Sequence, residues 1–264
     1  MEAQVSVTDA VDGIEGVRTL CIEREAQRNA LDRRTLDELV AALDAAATDP
    51  SVRVIVLRGA GEKSFCAGAD LREMLGHESI DASRAHFDGV RRAIEAMHDT
   101  PQPVIARVPG YALAGGCGLA VAADFTLASE SASFGLPEIG LGLLPLVVSA
   151  PILRATGSRK ALLDLVLTGR RLGATEALAL GLVTRVVPDD ALDDHLSELC
   201  RSLAALSPAA LRLGKEAIYT MAEMEYGAAM KYLREMIVLT SRTDDAQEGI
   251  RAFFDKREPR WTGR

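Results

Sequence analysis

Three short, glycine-punctuated segments of this 264-residue chain carry residue types that can do chemistry. The first is Phe65-Cys66-Ala67-Gly68-Ala69-Asp70-Leu71, and the second is Gly110-Tyr111-Ala112-Leu113-Ala114-Gly115-Gly116-Cys117-Gly118. Each lies between a strand-like run and a helix-prone one, which places small residues where the N–H groups of a helix start lack partners. Small side chains leave such groups open to a ligand oxygen, and the helix dipole favours negative charge there. If the loops converge, one N–H from each would hold an oxyanion at about 2.7–3.1 Å. Taken singly, either segment reads as a tight turn with close helix packing. The third segment is Phe134-Gly135-Leu136-Pro137-Glu138-Ile139-Gly140-Leu141-Gly142. Its apolar, glycine-rich setting would desolvate Glu138, raise its pKa and improve it as a base near neutral pH. Alone, Glu138 reads as a helix-cap or salt-bridge residue.

Other chemistries fail on spacing. In GAGEKS (59–64) Glu62 separates the last glycine from Lys63, so the segment is not a phosphate-binding P-loop. No G-x-S-x-G elbow supports a serine hydrolase. His77, His86, His98 and His195 form no H-E-x-x-H or other ligand pair, so no protein-bound metal is expected. Cys21, Cys66, Cys117 and Cys200 are scattered, with no C-x-x-C, which points to buried thiols in a reducing, cytoplasmic setting. A net charge of −8 argues against non-specific nucleic-acid binding, although a local basic pocket for one phosphorylated ligand remains compatible with it. No apolar run reaches the roughly 18–20 residues that span a bilayer. The opening MEAQVSVTDAVDG has no basic stretch of a secretory signal.

The elements that would position these segments alternate. A strand is expected over 17–22, then a helix capped by Asp32 with Leu36, Leu39, Val40, Leu43 and Ala47 at helical spacing. A strand over 52–57, a helix presenting Phe87, Val90, Ile94 and Met97, and a strand over 104–108 follow. Such alternation argues for an α/β fold. After about residue 190 strand signals stop, and helices are expected over 192–206, 208–224, 227–240 and 246–256. The expected organisation is a strand-bearing core over 1–190 and a helical region over 191–264.

Together FCAGADL, GYALAGGCG with AAD after it, and FGLPEIGLG resemble, in order and spacing, the signature regions of the crotonase (enoyl-CoA hydratase/isomerase) superfamily. RNAL near the start and EGIRAFFDKR near the end extend the likeness over nearly the whole chain. The resemblance implies a core of spiralling ββα turns, with a C-terminal helical region that builds a homotrimer or a hexamer made of two trimers. It implies an acyl-CoA thioester as substrate, with coenzyme A entering as part of it and no separate cofactor. The N–H groups of Ala69 and Gly115 would bind the thioester oxygen. Ala67, Asp70, Leu71 and Arg72 belong to the segment that runs along the CoA moiety in relatives; by itself Arg72 reads equally as a surface arginine. Phe253 and Lys256 match tail positions that reach CoA across a subunit boundary in some relatives. Apart from the resemblance they read as a core and a solvent-facing helix residue.

The chain also departs from the family pattern. Hydratases of the superfamily carry two glutamates that hold and activate water; Glu138 matches the second, while the first is Gly118. The run Leu143-Leu144-Pro145-Leu146-Val147-Val148 is bulky and apolar where relatives often have glycines, and reads as a hydrophobic wall for the acyl group. A single carboxylate suffices to shift a double bond from the β,γ to the α,β position, so isomerisation is favoured. Hydration is an alternative if Glu73, His77 or His86 helps to position water. Decarboxylation or dehalogenation on the same scaffold is weaker. A non-catalytic acyl-CoA-binding protein is a further alternative, which Gly118 keeps open.

Overall fold

The computed structural model describes residues 3–11, 13–76 and 78–264. It begins with a hairpin, β1 (Val5–Val11) and β2 (Ile14–Ile22), paired antiparallel from Val5↔Ile22 to Val11↔Ile14. β1 is absent from the sequence reading because it is an edge strand: Val5 is buried but Val7 is exposed, so little apolar pattern marks it. Asp32 caps α1 (Arg33–Thr48) as expected, its side chain accepting from Thr35 N at 2.8 Å. Leu36, Leu39, Leu43 and Ala46 form its buried face.

From β3 (Val54–Gly59) onward the chain repeats one unit three times: a longer strand, a short strand, then helix. β3 is followed by β4 (Ser64–Cys66), α2 (Leu71–Leu75) and α3 (Ile80–Asp99). β5 (Val104–Val108) and β6 (Tyr111–Leu113) lead to α4 (Gly115–Ala122). β7 (Phe125–Ser129) and β8 (Ser133–Gly135) lead to a 3-10 turn (Pro137–Leu141), α5 (Leu146–Thr156) and α6 (Arg159–Thr168). β9 (Arg171–Gly173), α7 (Ala174–Ala179) and β10 (Arg185–Val187) close the spiral. The longer strands form a six-stranded sheet, β1-β2-β3-β5-β7-β10, and the short ones a second sheet, β4-β6-β8-β9. Pairing of β4, β6 and β8 is parallel, with Leu113 opposite Gly135. The segments after these three strands therefore leave from the same edge, the place where parallel sheets gather ligands.

Alternation within the larger sheet divides the core. Ile55 and Leu57 face α1 and α3, whereas Val54 and Val56 face the other way with Val17, Ile105 and Leu127. Both faces are covered, which is why β3 reads as a continuous apolar run. The cover on the second face is the first tail helix, α8 (Leu192–Ala204), through Leu192, Leu196, Leu199 and Leu203. Buried Arg107 ties the two together, its Nε donating to Asp193 Oδ1 at 2.6 Å and its Nη2 to Glu62 at 2.8 Å.

The expected tail helices continue as α9 (Pro208–Met221), α10 (Tyr226–Ser241) and α11 (Asp244–Asp255). Lys215 anchors α9: its Nζ lies 2.7 Å from Asp124 Oδ2 and donates to the carbonyls of Met97 and Gln102 at 2.8 and 3.1 Å. Asp245 holds the C-terminal strap, accepting from Ser207 Oγ (2.7 Å), Thr262 N (2.6 Å) and Gly263 N (3.1 Å). Among the described residues no helix is long and apolar enough to cross a membrane.

Candidate active site

The two small-residue loops meet. A Cβ placed on Gly68, at φ +93°, would stand 2.5 Å from Ala114 Cβ and 3.1 Å from Gly115 N. One placed on Gly115 would stand 3.7 Å from Gly68 Cα and 3.9 Å from Ala69 N. Glycine at 68 permits this approach, since a side chain there would overlap its neighbour and meet an unfavourable φ. Among the described residues, neither Ala69 N–H nor Gly115 N–H donates a hydrogen bond. Two open backbone donors are thus brought side by side at the start of α4, whose dipole adds to their pull on a negative oxygen.

Each donor is held from behind. The RNAL segment (28–31) lies under the first loop: Ala67 N donates to Arg28 O at 3.0 Å, Leu31 N to Gly68 O at 2.7 Å and Asp70 N to Leu31 O at 2.8 Å. Buried Asn29 fixes that segment, donating to the carbonyls of Ala60 and Ser64 at 3.0 and 2.8 Å. In the second loop Ala114 N donates to Gly135 O at 2.8 Å, which orients the turn from the neighbouring strand β8. Ala114 takes φ +53° and ψ −127°, a conformation that an L-residue holds only when its surroundings impose it. The sequence reading missed Ala114, because nothing in an alanine's identity signals a positive φ.

Glu138 sits in the 3-10 turn after β8, half-buried, with Leu136 buried beside it. Its Oε2 is buried and has no hydrogen-bond partner among the described residues. Burial raises the Glu138 pKa, opposed in part by its own backbone N–H. The expected helix-cap or salt-bridge role is therefore not what this carboxylate does. Its charge reaches α4, where it adds to the burial that pushes the Cys117 thiol up to about 12.

Gly118 is one helical turn beyond Gly115 and buried. Val148 packs directly against it: a Cβ on Gly118 would overlap Val148 Cγ1 and stand 2.5 Å from its Cβ. Val148 and Ile152 form the inner face of α5, while Leu143, Leu144 and Leu146 are exposed. The apolar run after Glu138 is thus not a continuous wall. Helical periodicity turns one of its leucine and valine side chains fully inward, and sequence alone does not mark Val148 as that residue.

The other predicted residues separate into groups. Asp70 caps α2 by accepting from Arg72 N at 3.0 Å and pairs with Arg24 Nη2 at 2.8 Å. Burial alone would raise its pKa, but these donors hold it below the usual carboxylate range. Leu71 and Arg72 are exposed on α2, and Ala67 is half-buried. Phe253 is 79% exposed on α11, and Lys256 caps that helix at φ +54°. Glu73 is engaged elsewhere, its Oε2 accepting from Arg33 N at 2.9 Å with His86 Nδ1 3.4 Å away. His77 lies outside the described residues.

The sequence profile of the enoyl-CoA hydratase/isomerase family matches residues 12–264. A probable enoyl-CoA hydratase of Mycobacterium leprae is 38% identical over 258 residues, which cover 97% of this chain and 98% of that protein. The 2,3-dehydroadipyl-CoA hydratase of Escherichia coli K12 is 37% identical over 248 residues, 94% of this chain and 96% of that one. The crystal structure of an enoyl-CoA hydratase from Bacillus anthracis superposes with a TM-score of 0.92 at 36% identity, covering 99% of this chain and all (100%) of that one.

Proposed function

The chain belongs to the enoyl-CoA hydratase/isomerase family, and we propose that it moves the double bond of an enoyl-CoA from the β,γ to the α,β position, with Glu138 as its one acid/base. The observation that carries this reading is the lone carboxylate. Glu138 Oε2 is buried without a hydrogen-bond partner among the described residues, and Gly118 has no side chain to supply a second acid.

Glu138 takes the α-proton, and the electron pair moves into the thioester carbonyl to give an enolate conjugated with the β,γ double bond. The N–H groups of Ala69 and Gly115 hold the enolate oxygen. The pair then returns through the diene as the γ-carbon takes the proton back from Glu138. No atom is gained or lost, so the step needs neither water nor a separate cofactor; coenzyme A arrives with the substrate. The raised Glu138 pKa fits both halves of this cycle, since the same group must accept and then donate near neutral pH.

The CoA moiety runs past Ala67, Asp70, Leu71 and Arg72, and a neighbouring subunit's α11 brings Phe253 and Lys256 to it. Homotrimers, alone or paired as hexamers, would supply that neighbour. Exposed Tyr226, Met230 and Ile237 on α10 and Phe253 and Phe254 on α11 are apolar surface for such contacts. Hydration is the second reading, favoured by the names of the relatives. Assays of both reactions with wild type and Glu138→Gln separate the two. Isomerisation that Glu138→Gln abolishes supports the proposal; hydration as the faster reaction replaces it. Tight acyl-CoA binding without turnover at any chain length would make the protein a non-catalytic binder.

A further inference from the structure

Resting on Glu138 as the only acid/base of the site, we infer that Val148 is the residue that sets the reaction, because its side chain fills the space from which Gly118 would otherwise present a second acid or a water. Three observations carry this. The nearest atoms to a Cβ on Gly118 are all from Val148: Cγ1 in overlap, Cβ at 2.5 Å and Cα at 3.5 Å. Val148 is 3% exposed and lies on the α5 face that also buries Ile152, so the helix cannot turn it away without exposing that face. Gly118 lies three residues after Gly115 on α4, so the two positions share one face of the helix.

Two substitutions are therefore coupled in this chain. Absence of a side chain at 118 makes room for Val148, and Val148 in turn forbids a side chain at 118. An apolar methyl stands where water would need polar partners to be held, since a site retains water only with two or more hydrogen-bonding groups around it. Water is thus denied the second polar group with which Glu138 would hold it, and the enolate is left to reprotonation by Glu138. Opening the space by itself restores room but no acid; adding the acid by itself meets Val148. Both changes together are needed before water can add its hydroxyl to the β-carbon and a proton to the α-carbon.

The test compares wild type, Gly118→Glu, Val148→Gly and the double variant Gly118→Glu/Val148→Gly. Hydration of an α,β-enoyl-CoA and isomerisation of a β,γ-enoyl-CoA are measured on each, with thermal unfolding. The expected result is hydration raised at least about 100-fold over wild type in the double variant, the gain of one positioned acid/base, and no such gain in either single variant. A folded double variant that hydrates no faster than wild type overturns the inference. So does Gly118→Glu alone if it hydrates as fast as the double.

Should the carboxylate variants fail to fold, Gly118→Ala gives a second readout. It should lower Tm by about 2–10 °C in the wild-type background, as overpacking does, although alanine is the better helix former. In a Val148→Gly background, where the nearest remaining atom of residue 148 is its Cα at 3.5 Å, the same change should be neutral or stabilising. Equal costs in both backgrounds overturn the coupling. Isomerisation retained by Glu138→Gln would instead sink the role of Glu138, whatever the pair of positions does.

Discussion

Glu138→Gln should make the protein slower and more stable at once. Glutamine keeps the length and shape of the side chain but cannot take the α-proton. Loss of a positioned base costs about 10²–10⁴-fold in kcat/KM. The stability effect has the opposite sign. Burial holds the folded-state pKa of Glu138 above its unfolded value, so the folded protein keeps a proton that the unfolded chain releases between the two. Stability then falls as pH rises through that window, and above it the full cost of a desolvated carboxylate, whose Oε2 has no hydrogen-bond partner among the described residues, is present. The cost is about 1 kcal/mol, the low end for a buried unpaired polar group, because part of Glu138 still meets solvent. Glutamine should recover most of it, raising Tm by about 2–4 °C for a chain of this size. Thermal unfolding at pH 7.5 and at pH 4 reads the difference, which should shrink at the lower pH where Glu138 is protonated. In the wild type, kcat/KM for isomerisation should rise with pH up to a midpoint above the ordinary carboxylate pKa of about 4.3. The reasoning is refuted if Glu138→Gln retains turnover, or if it is less stable than wild type at pH 7.5.

Substitutions centred on Asp245, Lys215 and Gly116 test the frame around the site. Asp245→Ala should cost about 2–4 kcal/mol, since Ser207, Thr262 and Gly263 lose their shared acceptor; the emission of the single tryptophan, Trp261, whose Nε1 donates to Ala205 O at 2.7 Å, should move to the red as the strap loosens. Burial raises the pKa of Asp245, but the donors outweigh it and leave the pKa lowered, so this stability is present above about pH 4 and is lost as pH falls through the folded pKa. A Tm–pH profile of Asp245→Asn should therefore converge on the wild type in acid. Lys215→Met should cost about 3–5 kcal/mol in urea unfolding by stranding Asp124, and Lys215→Met/Asp124→Leu should recover part of that. Gly116→Ala drives a Cβ into Cys66 O and to within 2.7 Å of Cys66 Cβ, so it should cost about 1–3 kcal/mol and lower kcat with it, because Cys66 leads directly into the Ala69 loop.

Much of this protein is legible in its sequence because the signals are local. The Asp32 cap, the apolar runs of β3 and β5 and the four tail helices follow from capping and periodicity over a few residues. The glycines at 68 and 115 and the acid at 138 likewise announce themselves by type, order and spacing, and Gly118 announces what is missing. Contact between distant segments is a different matter. The joining of Ala69 to Gly115 depends on the register of β4 with β6, and the placement of the Glu138 turn on that of β6 with β8, and these registers are set by the whole stacked spiral. The positive φ of Ala114 goes with a hydrogen bond to Gly135 O and with the room left by Gly68, both on other turns of that spiral. The filling of the space at Gly118 by Val148 rather than by Leu143, Leu144 or Leu146 depends on which face of α5 meets α4. Sequence by itself determined that one carboxylate and two small-residue loops exist; the tertiary structure alone decided that the two loops meet and that Val148 packs against Gly118, because packing between elements is fixed by volumes that no single segment contains.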